Sequence, residues 1–570
     1  MKKLITFIMA FAVTLIVTFS SVACGSRVVE DIDPTKTNIS VALYSGGYGT
    51  VWIDEAVERF EEYYAERSFE EGKTGVKVIV DKNKSYTGQS LATTVPVGTA
   101  DIYFTGATPY YDLATAGSLI DITDLVTETV NAQDGKTIES KLTDNLKQTL
   151  HLNGRYYAIP LYEAYGGVSY DAGIFKNKNL YFSNRLDTED EEYPGTNSFV
   201  LNVNDTKSCG PDGVYGTYDD GLPSTYMEFY KLMSQMLKKS VQPFVFASAY
   251  ANYANELLVA LFKNYVGVDG VSAVYNFNSN GQEIDVVTGF NGDEPISEKT
   301  VLVRENANKI KSSLGLYYAT EFCKKVFSDI RYYGSSSTTV THLNAMEKFM
   351  KSVLDGNKYI GMLIDGNWWY NEASEDELFE SVERQYPRTY QQKEVRFMPL
   401  PHQYEGTVTP RDASDPLVPV LTGTCTTFSY IAATCSPEKI EAAKLFLSFC
   451  YGDEELRRAT VLSNGVLRAV NYDFSDLKSQ VVPFAQSFLE MREQAKTKYR
   501  EISVFSNDPI FLRNQMYFSM AGNSEFWKTT VNGTDFATVF AAFHGSNVSA
   551  KDYFNGLKIS DATWQNNYLR

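Results

Sequence analysis

Positive charge is what this chain of 570 residues has least of: 52 Lys and Arg stand against 70 Asp and Glu, a formal net charge of -18. The first 23 residues hold Lys2 and Lys3 and no acid, so the remainder carries -20. No cluster of Lys and Arg traces a path for a phosphate backbone, so nucleic acid is not an expected partner. A neutral or cationic ligand is favoured. Histidine is also scarce: His151, His342, His402 and His544 are scattered and share no metal-ligand spacing. The six cysteines include no Cys-x-x-Cys pair and suggest no disulfide framework. Gly-x-Ser-x-Gly, P-loop, His-Glu-x-x-His and dinucleotide Gly-x-Gly-x-x-Gly motifs are all missing. No residue is therefore assigned a catalytic role, and a non-enzyme is expected. The 70 acids nonetheless leave room for a carboxylate pair of the kind glycosidases use. There is no internal repeat and no low-complexity tract.

What the chain does have is length and rings. At 570 residues it exceeds one hydrophobic core, and two or more domains are expected. Hydrophobic residues make up 44% and aromatics 14%, with 39 Tyr. Tyrosine joins an apolar ring to a polar tip, which suits a wet, half-buried cleft.

The N-terminus reads as an address. Lys2 and Lys3 precede an apolar run from Leu4 to Phe19, the pattern of a secretory signal covering 1–23. Ser21-Val22-Ala23-Cys24-Gly25-Ser26 resembles a bacterial lipobox, with Ser21 where Leu is usual. That resemblance implies that Cys24 becomes the first mature residue and is lipidated, placing the chain on the extracytoplasmic face of the cell membrane. The polar stretch 24–37 then serves as a tether. The remaining odd set, Cys209, Cys323, Cys425, Cys435 and Cys450, is expected to be mainly buried thiols.

Ile39 to Tyr44 alternates as a strand and opens into Ser45-Gly46-Gly47-Tyr48-Gly49. A helix with Ile53, Val57, Phe60 and Tyr64 on one face follows, then a strand from Gly75 to Val80. This β-loop-α-β order begins a parallel sheet. Ala100 to Phe104 is a further strand. Far along, Tyr359 to Ile364 reads as a buried strand that runs into Asp365-Gly366-Asn367-Trp368-Trp369-Tyr370-Asn371. Ligands bind at the carboxyl ends of strands in open α/β sheets, so this aromatic turn is a candidate site. Neighbouring residues there point oppositely; Trp368 is expected to stack on ligand while Trp369 packs.

Gly-Val-Lys-Val at 75–78, Ala-Asp-Ile-Tyr-Phe at 100–104, Gly-Ser-Leu-Ile-Asp-Ile-Thr at 117–123, Gly-Arg-Tyr-Tyr-Ala-Ile-Pro at 154–160 and Gly-Val-Ser-Tyr-Asp at 167–171 follow in order. Gly366-Asn367-Trp368-Trp369, Phe397 to Pro401 and Ser436-Pro437-Glu438-Lys439 come later. This order resembles the extracellular solute-binding proteins of ABC importers, in the carbohydrate-binding group that includes maltose-binding protein. The resemblance implies an α/β fold of two lobes, each a sheet flanked by helices and joined by hinge crossings. On that frame lobe 1 comprises 38–162 plus 421–475. Lobe 2 comprises 163–420 plus 476–570, with insertions near 183–221 and 267–315. It further implies capture of an oligosaccharide between the lobes by a monomer and delivery to ABC permease membrane subunits. A glycan hydrolase on the cell surface, or a binder of peptides or other solutes, stays open, since fold does not fix ligand.

A sugar needs flat apolar faces and fixed polar groups. The candidates facing the cleft are Tyr44, Tyr48 and Thr105 from lobe 1, and Glu163 with Tyr165 at the crossing. Lobe 2 offers Tyr250, Asn252, Tyr253, Asp365, Asn367, Trp368 and Trp369, and Arg468 closes the set. The family places a binding carboxylate near Glu163, one residue later after the proline. Separately, the glycine-rich acidic loop 210–221 offers Asp212, Asp219 and Asp220, with Asp205 nearby, as ligands for a structural calcium ion or as a solvated turn. No catalytic cofactor is expected.

Overall fold

The computed structural model describes residues 32–202, 204–334, 337–352, 359–385, 393–403, 417–423, 426–495, 500–502, 510 and 525–570. The signal and lipobox, with Cys24, and also Cys425 lie outside these.

The elements that place the cleft run in chain order as β1 (Thr37–Tyr44), α1 (Val51–Tyr63), β2 (Val76–Asn83), β3 (Ile102–Ala107), β4 (Ile159–Pro160) and β5 (Gly166–Asp171). Next come β6 (Val241–Phe246), α2 (Ala251–Asn276), α3 (His342–Lys351), β7 (Tyr359–Gly366) and α4 (Trp369–Glu375). The last are β8 (Val395–Met398), β9 (Thr427–Ile431), α5 (Ile440–Cys450) and α6 (Pro483–Ala495). Two main sheets result. Lobe 1 holds five strands in the order β2-β1-β3-β9-β4, and lobe 2 holds four in the order β6-β7-β5-β8. The chain leaves the first sheet at Pro160 and enters the second at Gly166, so residues 161–165 form the first crossing.

The start of lobe 1 follows from its sequence pattern. β1 pairs in parallel with both β2 and β3, and β9 returns antiparallel beside β3. α1 buries Trp52, Ile53, Ala56, Val57 and Phe60 against this sheet, while Asp54 in its first turn suits the helix dipole. Tyr64 falls just past the helix end. Lobe 2 has apolar residues on both sheet faces. Ile364 and Val168 pack toward α2, while Leu363 and Phe397 pack toward α3, α4 and α6.

α2 starts at Ala251, so Tyr253, Asn255 and Glu256 are helical. The helix continues past Phe262 to Asn276, breaking at Gly267 (φ 71°). It is long and apolar enough to span a membrane, but most of its apolar window is buried inside lobe 2. Beyond it lies an antiparallel hairpin of Glu283–Asn291 with Glu294–Val301. Thr225 caps its helix by accepting from Glu228 N at 3.2 Å, whereas the Glu228 carboxylate accepts from Ser224 N at 2.8 Å instead of closing a reciprocal box. Ser436 makes no capping hydrogen bond; a 3₁₀ turn, Pro437–Lys439, leads into α5 instead. Cys323, Cys435 and Cys450 are free and buried, and Cys209 is buried as well.

Candidate ligand cleft

β1 and β7 end facing each other across the two lobes, and their following segments build the cleft. The loop after β1 lies against α4. Asn371 Nδ2 donates to Gly47 O at 3.4 Å, Lys84 Nζ pairs with Asp376 Oδ1 at 3.2 Å, and Thr50 donates to Glu375. These are bonds from lobe 1 to lobe 2, so the cleft is closed at this mouth. Gly47 is needed there, because a Cβ would lie 2.8 Å from the Trp368 ring.

Trp368 is the residue before α4, and its indole lies across the end of β7. A Cβ on Gly366 would sit 2.0 Å from that ring. Gly366 pairs with Gly166 of β5, and Glu256 of α2 stands 3.4 Å from the Cβ position there. The paired glycines thus leave room for an aromatic ring and a carboxylate side by side. Tyr48 reaches Trp368 from the other lobe, with centroids 6.5 Å apart and an edge-on angle of 65°. Tyr48 stacks on Tyr162 at 4.6 Å, and the Arg468 guanidinium lies 4.5 Å from Tyr162 and 4.0 Å from Trp52. Arg468 therefore supports the aromatic wall from behind. Between the lobes remains a cavity of about 220 Å³, lined by Tyr48, Tyr165, Glu256, Lys263, Trp368 and apolar side chains of β8. This is below the ~300–1,000 Å³ of sites that bury a drug-sized molecule. A larger hollow of about 430 Å³ lies around Tyr181 and Lys207, but its lining comes from lobe 2 alone.

The other expected site residues divide. Tyr44 and Tyr48 are neighbours at 6.3 Å. Tyr250 is 43% exposed beside Tyr253 and His342, at the rim. The side chain of Asn252 lies outside the described residues. Trp369 is fully enclosed: its Nε1 donates to Ser169 Oγ at 2.8 Å, and Phe349 and Phe484 pack on it. Asn367 faces the crossing. Its Oδ1 accepts from Tyr165 N at 2.9 Å, and its Nδ2 donates to Glu163 O at 3.3 Å. Thr105 is buried within lobe 1, donating to Phe428 O at 3.0 Å.

Glu163 is buried and engaged by protein. Arg492 of α6 donates from Nε to Oε2 at 2.8 Å and from Nη2 to Oε1 at 3.0 Å, and the Tyr165 hydroxyl donates at 2.7 Å. The carboxylate expected to accept sugar hydroxyls thus fastens the crossing to lobe 2. Arg492, Glu256, Lys263 and Glu372 were not singled out by sequence. Glu256 and Lys263 did carry a signal, as the charged ends of the apolar run 257–262.

Burial pushes Asp365 well above the usual carboxylate range, with Glu372 and Glu256 adding to the effect. Asp365 is 3% exposed; Oδ1 accepts from Gly366 N, and Oδ2 has no hydrogen-bond partner. Burial also raises Glu372 to about 7 and lowers Lys263 to about 8.

The calcium expectation does not assemble. Asp205 pairs with Arg185 and accepts from Leu201 N and Asn202 N. Asp212 accepts from Val214 N and Gln494, Asp219 from Asp212 N and Thr217, and Asp220 from Gly216 N. The loop spends most of its carboxylate oxygens on its own turns. The described residues contain one group whose ligand atoms all lie within 4.8 Å of one another: His342, Glu372 and Asp376, at the cleft mouth.

No family model and no curated protein matches the chain. Among solved structures it is similar to RafE, solved in complex with raffinose. The two are 13% identical, covering 92% of this chain and 99% of that one, with a TM-score of 0.48. It is also similar to a chitin oligosaccharide binding protein, 15% identical over 84% and 93% of the two chains, TM-score 0.45. A third is the cyclic alpha-maltosyl-1,6-maltose binding protein from Arthrobacter globiformis, 12% identical over 93% and 100%, TM-score 0.49.

Proposed function

We propose that this chain is the substrate-binding lipoprotein of an ABC importer, holding an oligosaccharide between its lobes and presenting the closed form to membrane permease subunits. It acts as a monomer on the extracytoplasmic face, anchored through Cys24, and performs binding without reaction. The observation that carries this reading is the meeting of Tyr48 from lobe 1 and Trp368 from lobe 2 across an interlobe cavity. Sugar rings present flat C–H faces to such aromatics, and a ligand touching both lobes favours the closed arrangement by its differential contacts. Tyr44, Tyr250, Tyr253 and Glu256 complete the proposed contact set.

Calorimetric titration of protein starting at residue 25 with a panel of oligosaccharides, with product analysis of the same mixtures, tests this. Binding without cleavage supports it. Shorter saccharides in the mixture would identify a hydrolase, and peptide binding without glycan binding would move the ligand class. Lipid labelling of the full chain in a bacterial host, abolished by Cys24→Ala, tests the anchor.

A further inference from the structure

The mouth of the cleft carries a different chemistry from its wall. Glu372 and Asp376 stand one turn apart at the end of α4, so both carboxylates lie on one face of that helix. α3 begins at His342, where Thr341 caps it by accepting from Asn344 N at 3.3 Å. This start brings the imidazole to the same face: His342 Nε2 lies 3.7 Å from Glu372 Oε1. Tyr250 packs on the ring with centroids 5.6 Å apart and helps to fix its direction.

One ligand atom from each of His342, Glu372 and Asp376 falls within 4.8 Å of the other two. Tetrahedral metal bonds of about 2.1 Å space their donors by about 3.4 Å, so small side-chain rotations would close the three around one ion. The surroundings leave room for the ion's water. Glu372 and Asp376 also line a hollow of about 300 Å³, together with Glu375 of α4 and with Ser45, Thr50 and Lys84 of lobe 1. Glu375 accepts from the Thr50 amide and hydroxyl and is left out of the ligand set. Three protein donors and an open position for water describe an accessible metal site. An imidazole with two carboxylates suits zinc and its neighbours, whereas Ca²⁺ takes six to eight oxygens.

Lys84 already meets one of the three. Its Nζ lies 3.2 and 3.5 Å from the two oxygens of Asp376. The lysine side chain is 67% exposed and arrives from lobe 1, so it is readily displaced and withdraws when the lobes part. We propose that His342, Glu372 and Asp376 form a binding site for a divalent transition metal of the zinc class, in which the ion and Lys84 compete for Asp376. The site does not depend on what the interlobe cavity holds.

The test is titration of Zn²⁺ into purified protein free of histidine tags, by calorimetry and by NMR of the four imidazoles. One Zn²⁺ should bind, and the resonances of His342 should shift while those of the exposed His151 stay in place. His342→Gln and, on the exposed side, Asp376→Asn should each weaken binding about tenfold or more, with melting temperatures near the parent's as the folding control. Lys84→Met should tighten it, and Ca²⁺ should not displace the ion. Absence of saturable Zn²⁺ binding, binding that shifts His151 in place of His342, or binding unchanged in His342→Gln and Asp376→Asn overturns the site. Unchanged or weaker Zn²⁺ binding in Lys84→Met overturns the competition.

Discussion

The six-membered ring of Trp368 occupies the space where a side chain on Gly366, two residues earlier, would stand. A Cβ there would approach it to 2.0 Å. Backbone and ring are both held, since Gly366 pairs with Gly166 and the following Asn367 is bonded to the crossing. Gly366→Ala therefore forces the indole off the cleft floor. The expected outcome is a loss of oligosaccharide affinity of about tenfold or more, roughly 1.4 kcal/mol, larger than the change in stability. Titration calorimetry beside thermal melting of the same variant checks it.

Glu163 and Arg492 join the first crossing to α6 through two hydrogen bonds in a buried setting. Removing one partner leaves the other charge buried and uncompensated, which costs about 3–5 kcal/mol. Glu163→Ala should therefore destabilise by that order, measured by urea unfolding. The double variant Glu163→Leu with Arg492→Met should recover much of the loss, since no charge remains buried.

Asp219 predicts a pH dependence. Burial first and Asp212 second push its carboxyl up to about 8, and Thr217 and the Asp212 amide hydrogen-bond to it. Gln494 of α6 faces the same pair through Asp212. The folded chain keeps a proton that an unfolded aspartate releases near ~3.9. This contribution to stability is whole below that value, declines as pH rises, and is gone above about 8. Urea midpoints measured from about pH 4 to about pH 9 should fall, and Asp219→Asn should flatten the fall.

The bonds at the mouth are expected to adjust closure only slightly. Lys84 and Asp376 form an ion pair with Lys84 largely exposed, and exposed pairs contribute about 0–1 kcal/mol. Lys84→Met should therefore weaken ligand binding by no more than about fivefold. Raised salt should weaken the parent toward the variant, as seen by titration at two ionic strengths.

Strand and helix periodicity carried most of lobe 1 into view, because its sheet is built from contiguous β-loop-α-β segments. The parting of the two rings was legible too, Trp369 being enclosed and Trp368 lining the cavity, since adjacent side chains at a strand end point apart. The role of Glu163 was not, because its partner Arg492 lies 329 residues later and nothing local marks the pairing. The acidic loop misled for a related reason: the sequence shows carboxylates but not that backbone amides within the same turns already occupy them. Glu372 lay within reach, one turn beyond Trp368 on α4, yet its value comes from facing Gly47 of the other lobe.

The most direct measurement is oligosaccharide affinity of the parent and of Trp368→Ala, each with its melting temperature. Trp368 lines the cavity whereas Trp369 fills the core. Affinity should therefore fall about 25-fold or more, near the ~2 kcal/mol of a well-packed aromatic hot spot, with melting little changed. Unchanged affinity in a folded Trp368→Ala protein would contradict the proposed site.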